Sequence, residues 1–147
     1  MVNIQKYSVR LVKEEGRRYD LDKKINDPQS AGKLFDEVLS MQDRPQEVFA
    51  MATLDIKNQV TGVFEVSIGS VSSSIVHPRD VFQRAILQNA AAIIICHNHP
   101  SGVNTPSKED IEITHRLLEA GKILGIDVLD HILIGDNYYS MKEHGII

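Results

Sequence analysis

Two histidines one residue apart, His97 and His99, close the apolar run IIICHNHPSG at residues 93–102. In an extended strand, residues two apart project from the same face, so both imidazoles point one way and Asn98 the other. Two imidazoles converging from one strand end make a bidentate start for a zinc ion. The plainer reading is that one histidine caps the strand in solvent and the other is a hydrogen-bonded core residue. Catalytic zinc takes three protein ligands and keeps one position for water, so a third donor matters. Asp110, in PSKED, is a candidate. Ser107 and Asp110 also have the S-x-x-D spacing of a capping box just before an apolar helical pattern, in which case they only start a helix. An Asp110 carboxylate turned back to the Ser107 amide is poorly aimed at a metal. Ser107, by contrast, can cap the helix and still present its hydroxyl to a site.

A general base for a metal-activated water has to come from elsewhere in the chain. Glu47 stands at the start of a β-favouring run, where a charge is less expected than in a turn; its alternative is an ordinary solvent-exposed strand end. Glu65 is a weaker candidate, in mid-strand on a solvated face. His131, in LDHILI, reads as a hydrogen-bonded sheet histidine rather than a ligand. His77, His115 and His144 have no convergent partners in the sequence. Alternation puts Cys96 on the face opposite His97, as a buried structural thiol.

These residues need elements to position them. AAAIIIC is continuously apolar, short and β-branched, as a central strand covered on both faces should be. The loop HPSGVNTP leads to a helix over about residues 108–120, with Ile111, Thr114, His115 and Leu118 on one stripe and Gly121 or Gly125 to end it. IDVLDHILIG reads as a second buried strand and NYYSMKEHGII as a short closing strand or tail. Upstream, EVFAMATLDIKNQV and VTGVFEVSIG form a hairpin around Lys57-Asn58-Gln59. Past the serine-rich SVSSSIV, Pro78 opens a helix carrying Val81, Phe82, Ala85, Ile86 and Ala90. A helix of about three turns starts at Ser30 on Leu34, Phe35, Val38 and Leu39, ended by Asp43-Arg44-Pro45. Residues 4–13 alternate loosely and read as a peripheral strand. The fold class is α/β, a three-layer sandwich with a central mixed sheet flanked by helices.

Composition narrows the function. At 147 residues, 42% hydrophobic and 24% charged, the chain is an ordinary globular domain with a core of its own. The longest apolar stretch, residues 90–96, cannot span a bilayer, and MVNIQKYSVR lacks the apolar segment of a signal peptide. One cysteine cannot form an internal disulfide, so a reducing compartment, the cytoplasm, is expected. It also rules out a zinc deaminase, whose signature needs P-C-x-x-C. The net charge of −4 argues against direct DNA binding. A nuclease with dispersed His, Asn and His residues is not indicated by a contiguous His97-Asn98-His99.

Taken together, the residues run Glu47, then His97-x-His99, seven residues, Ser107, two residues, Asp110. This resembles the signature of the JAB1/MPN/Mov34 metalloenzyme (JAMM) superfamily without a gap. NAAAIIICHNHPSGVNTPSKEDIEIT and LGIDVLDHILIG are similar to its bacterial RadC-like branch, long labelled as DNA repair proteins. The resemblance covers about residues 45–147, with residues 1–44 as an N-terminal strand/helix extension packed on the core. It implies the JAB1/MPN, cytidine-deaminase-like sandwich. It implies one Zn²⁺ held by His97, His99 and Asp110 with a water in the fourth position, Glu47 as general base, and Ser107 steadying the water or the oxyanion. Characterised JAMM relatives cleave peptide or isopeptide bonds, so a zinc-dependent peptidase or isopeptidase acting on a protein or peptide substrate is the leading expectation. The alternative is a JAMM-fold binding module linked to DNA repair. The helix-hairpin-helix region typical of the branch has no counterpart in residues 1–44, which are too short for one. Assembly state is not legible in the sequence.

Overall fold

Asp27 begins the first helix. Its carboxylate accepts from the Ser30 amide at 2.7 Å, and the Ser30 hydroxyl takes the Asp27 amide at 3.2 Å. With Pro28 at the first helical position, this box starts α1 (Pro28–Leu39) two residues before Ser30. Ser40, in the left-handed region at φ 53°, ends it before the 3₁₀ turn Met41–Asp43, ahead of the expected break at Asp43-Arg44-Pro45. The hairpin forms as expected, β1 (Val48–Leu54) against β2 (Val60–Ile68). Its turn is tied by the Asp55 carboxylate, which accepts from the amides of Lys57 at 2.8 Å and Gln59 at 3.0 Å. Pro78 opens α2 (Pro78–Leu87), and Ala92–Asn98 form β3. Then come α3 (Lys108–Leu124), β4 (Asp127–Ile134) and β5 (Tyr138–Ser140).

The structure, a computed structural model, describes residues 1–69 and 76–147; most of the serine-rich connection lies outside the described residues. The five strands form one sheet in the order β2-β1-β3-β4-β5. β3 is central and fully buried, antiparallel to β1 and parallel to β4, so the sheet is mixed as expected. Ala50, Ala52, Ile94, Cys96 and Ile132 face α1, while Phe49, Met51, Ile93 and Ile95 face α2 and α3. Helices therefore cover both faces, giving the three-layer α/β sandwich.

Three local expectations are corrected. Residues 4–13 form no strand: the first nineteen residues carry no helix or strand and are exposed, although Val2, Ile4, Val9 and Val12 are apolar. Ile86 is 55% exposed, leaving Val81, Phe82 and Ala85 to bury α2. On α3 the buried stripe is Asp110, Ile113, Thr114, Leu117 and Gly121; His115 is exposed, Ile111 and Leu118 are only partly buried, and the helix runs on to a Gly125 cap at φ 70°.

Candidate metal centre

β3 carries His97 and His99 to its C-terminal end on the α3 face, while Cys96 packs in the opposite layer. Burial pushes the Cys96 thiol well above its ordinary range, which leaves it unreactive. His97 is completely buried, and its ring stacks on Phe49 with an interplanar angle of 16°. His99 is anchored from both sides. Its amide donates to the Ile134 carbonyl at 2.7 Å, and its Nδ1 donates to the Val103 carbonyl at 2.8 Å. With Nδ1 carrying the proton, Nε2 presents a lone pair to the site.

The loop after His99 is held against the β4–β5 turn. Gly102, at φ 82°, donates to the His99 carbonyl at 2.9 Å and accepts from the Asp136 amide at 3.1 Å. A Cβ at Gly102 would stand 2.6 Å from Asp136 Oδ1, so the close approach and the backbone angle both require glycine. Asn104 and Asn137 lock the same contact, with the Asn137 amide donating to Asn104 Oδ1 at 3.2 Å.

The loop delivers Ser107 to the N-cap of α3, where the capping box is complete. The Asp110 amide donates to Ser107 Oγ at 3.1 Å, and the Ser107 amide to Asp110 Oδ2 at 2.7 Å. The capped carboxylate nonetheless faces the histidines. Asp110 Oδ1 lies 3.0 Å from His97 Nε2, and Oδ2 lies 3.3 Å from His99 Nε2. The apparent conflict between cap and ligand thus disappears, because a carboxylate has oxygens and lone pairs enough for both.

His97 Nε2 and His99 Nε2 are 2.8 Å apart, so two imidazole nitrogens and a carboxylate converge on one point. Zinc–ligand distances of 2.0–2.2 Å set tetrahedral ligand separations of about 3.3–3.6 Å; the distances of 2.8, 3.0 and 3.3 Å reach the lower end of this range or are tighter, so a bound ion would spread the three donors slightly. Each contact this short needs a proton or a metal ion between its atoms, and two imidazoles with one carboxylate are a donor set that fits a metal ion. The electrostatics agree. Burial acts to raise the Asp110 carboxyl, but its contacts with His97 and His99 and the hydrogen bond from the Ser107 amide hold it far below the usual carboxylate range. The Asp110 contact raises His99, against burial.

Glu47, partly buried, immediately precedes β1. The β1–β3 register pairs Phe49 with His97, and continuing it by two residues sets Glu47 opposite His99. Its charge reaches that ring and adds, after Asp110 and the Val103 carbonyl, to the upward shift of His99. Asn98, the middle residue of the His-x-His run, holds the segment leading to Glu47. Its Oδ1 accepts from the Val48 amide at 2.6 Å, and its Nδ2 donates to the Gln46 carbonyl at 3.0 Å. Sequence reasoning placed Asn98 on the far face but found no task for it. The signal was present: an amide side chain inside a buried strand needs partners.

His131 is the hydrogen-bonded sheet histidine expected, with His97 Nδ1 at 2.8 Å from its Nε2 and Thr114 Oγ1 at 2.6 Å from its Nδ1. Burial, then the neighbouring His97, depresses its pKa well below the ordinary value. The remaining candidates lie elsewhere. Glu65 pairs with Arg44 at 2.6 Å, His77 precedes α2, His115 reaches the Ile146 carbonyl at 3.3 Å, and His144 stacks on Tyr139.

A mixed five-stranded sheet between helices, with a His-x-His pair ending its central strand and an Asp on the next helix, defines a JAB/MPN-type domain. The chain belongs to the RadC-like JAB domain family, whose model matches residues 25–146. It is 52% identical over 124 residues to a UPF0758 protein of Desulfitobacterium hafniense, covering 84% of this chain and 54% of that one. It is 56% identical over 125 residues, with the same coverages, to a UPF0758 protein of Clostridium botulinum. The chain thus spans about half the length of these relatives. Among the described residues, no helix is long and apolar enough to cross a membrane.

Proposed function

We propose that this domain is a zinc-dependent hydrolase of peptidase or isopeptidase type. The observation that carries the reading is the meeting of His97 Nε2, His99 Nε2 and the Asp110 carboxylate within 3.3 Å at the end of the central strand. These three residues would hold the ion. Zinc, when bound, brings the pKa of a coordinated water towards neutrality and polarises a scissile carbonyl.

The chain's own residues do the rest. The Glu47 carboxylate, just before β1 and opposite His99, takes the proton of the attacking water and returns it to the leaving amine. The Ser107 hydroxyl accepts from the Asp110 amide, so its own proton is free to be donated to the developing oxyanion. Asn98 and the Asn104–Asn137 clamp hold the two approaches to the site in register. The net charge of −4 supports a protein or peptide substrate over a polyphosphate one.

The test is a proteome-wide cleavage screen with the zinc-loaded protein against its Glu47→Gln variant. Glu47→Gln is expected to keep its zinc and to lose cleavage by at least about a hundredfold, within the range for a general base. Equal cleavage by both proteins would exclude Glu47 as the base. No cleavage by either, with zinc bound in both, would replace the hydrolase with a binding module.

A further inference from the structure

Behind His97 a buried chain of hydrogen bonds runs through His131 and Thr114 to the main chain of Asp110 on α3. Thr114 Oγ1 lies 2.6 Å from the main-chain carbonyl of Asp110 and 2.6 Å from His131 Nδ1, and His131 Nε2 lies 2.8 Å from His97 Nδ1. Thr114, His131 and His97 are each 0% exposed, so water does not compete. The direction of the chain follows from proton counting. A hydroxyl oxygen 2.6 Å from a carbonyl oxygen needs a proton between them, and Thr114 has only one. Thr114 therefore donates to Asp110 and accepts from His131 Nδ1–H. His131 Nε2 is left as an acceptor, so it takes the proton of His97 Nδ1. His97 Nε2 then carries its lone pair towards His99 and Asp110.

We propose that Thr114 and His131 are positioning residues that fix His97 in the tautomer able to ligate through Nε2. The relay runs from His97 on β3 through His131 on β4 to Thr114 on α3, and it ends on the backbone of Asp110, whose carboxylate meets His97 again. It therefore ties two of the three metal-binding side chains into one ring spanning three elements. His99 obtains the same tautomer more simply, from the Val103 carbonyl. An outer partner that orients a ligating imidazole is worth about ten- to a hundredfold in metal affinity.

The inference rests on reading the site as a metal centre, and the experiment separates the two. Co²⁺, whose visible absorption reports its ligand field, is titrated into the metal-free wild-type protein, Thr114→Val and Thr114→Ser. Thr114→Val, close in volume but without the hydroxyl, is expected to bind Co²⁺ about ten- to a hundredfold more weakly with a shifted absorption band. Thr114→Ser keeps the hydroxyl and is expected to restore both. Wild-type affinity and spectrum in Thr114→Val would overturn the positioning role, whereas failure of the wild-type protein to bind Co²⁺ would overturn the metal reading instead. Imidazole nitrogen NMR of the wild-type protein decides the relay without any variant, even if Thr114→Val does not fold. His131 is expected as the Nδ1–H tautomer with a bare Nε2; the Nε2–H tautomer would reverse the chain and refute it.

Discussion

At the residue scale, the site depends on side chains that serve two masters, and Asp110 and Asn98 show how. Asp110 is ambiguous in the sequence because the S-x-x-D spacing that would make it a helix cap also leaves it in reach of the two histidines as a ligand. The ambiguity was real, since the residue completes the cap and faces both imidazoles. Asn98 was legible only as a residue pointing away from the metal side, because its partners lie about fifty positions upstream. Among the described residues its carboxamide is the side chain that accepts from the Val48 amide, and that amide is buried. Asn98→Ala leaves a buried N–H unpaired and is expected to cost about 1–3 kcal/mol, read from urea unfolding of the metal-free protein. Metal affinity should hardly change, because Asn98 faces away from His97 and His99. An unfolding free energy equal to that of the wild type would show that the Val48 amide finds another partner.

At the element scale, most of the fold was visible before the structure. Apolar runs, turn residues and caps placed the hairpin, the central strand, α2 and β4, because each is a local pattern with one physical reading. α3 was misaligned by a residue for an instructive reason. Ile111, Thr114, His115 and Leu118 satisfy helical spacing, and the true buried stripe includes a carboxylate and a glycine that no hydrophobicity pattern selects. Asp110 is buried by the site, and Gly121 by the close approach of the chain entering β4. The Ile126 amide donates to the Gly121 carbonyl at 3.0 Å, and a Cβ at Gly121 would meet the Ile126 carbonyl oxygen. Gly→Ala inside a helix ordinarily stabilises by up to about 1 kcal/mol. Here the sign should reverse, with Gly121→Ala destabilising by about 1–3 kcal/mol as main chain is forced apart. Thermal or urea unfolding reads the sign directly, and a more stable variant would mean that the α3–β4 junction yields without strain.

At the scale of the whole molecule, the two faces of the sheet carry separate tasks. The α3 face holds the metal-type cluster, whereas the α1 face is an apolar layer of Phe35, Met41, Ile94, Cys96 and Ile132 that makes the sheet rigid beneath it. The N-terminal region divides along the same physical line. Residues 4–13 alternate enough in sequence to suggest a strand, yet residues 1–19 are exposed throughout; alternation gives a strand two faces but supplies neither a partner edge nor a core to cover. Residues 21–25 differ. Leu21 and Ile25 pack on the α1 layer, the Lys23 carbonyl accepts from the Val60 amide at 2.8 Å, and the Ile25 amide donates to the Asn58 carbonyl at 3.0 Å. The family match also begins at residue 25. Removing residues 1–19 is therefore expected to leave the melting temperature within about 2 °C and Co²⁺ binding unchanged, since no buried contact is lost. Removing residues 1–26 takes away two partly buried aliphatic side chains and two edge hydrogen bonds, and is expected to cost about 2 kcal/mol or more. Melting curves of the two truncations decide the matter: a large loss from the shorter one would give residues 1–19 a packing role, and no loss from the longer one would show that the β2 edge holds without its upstream strap.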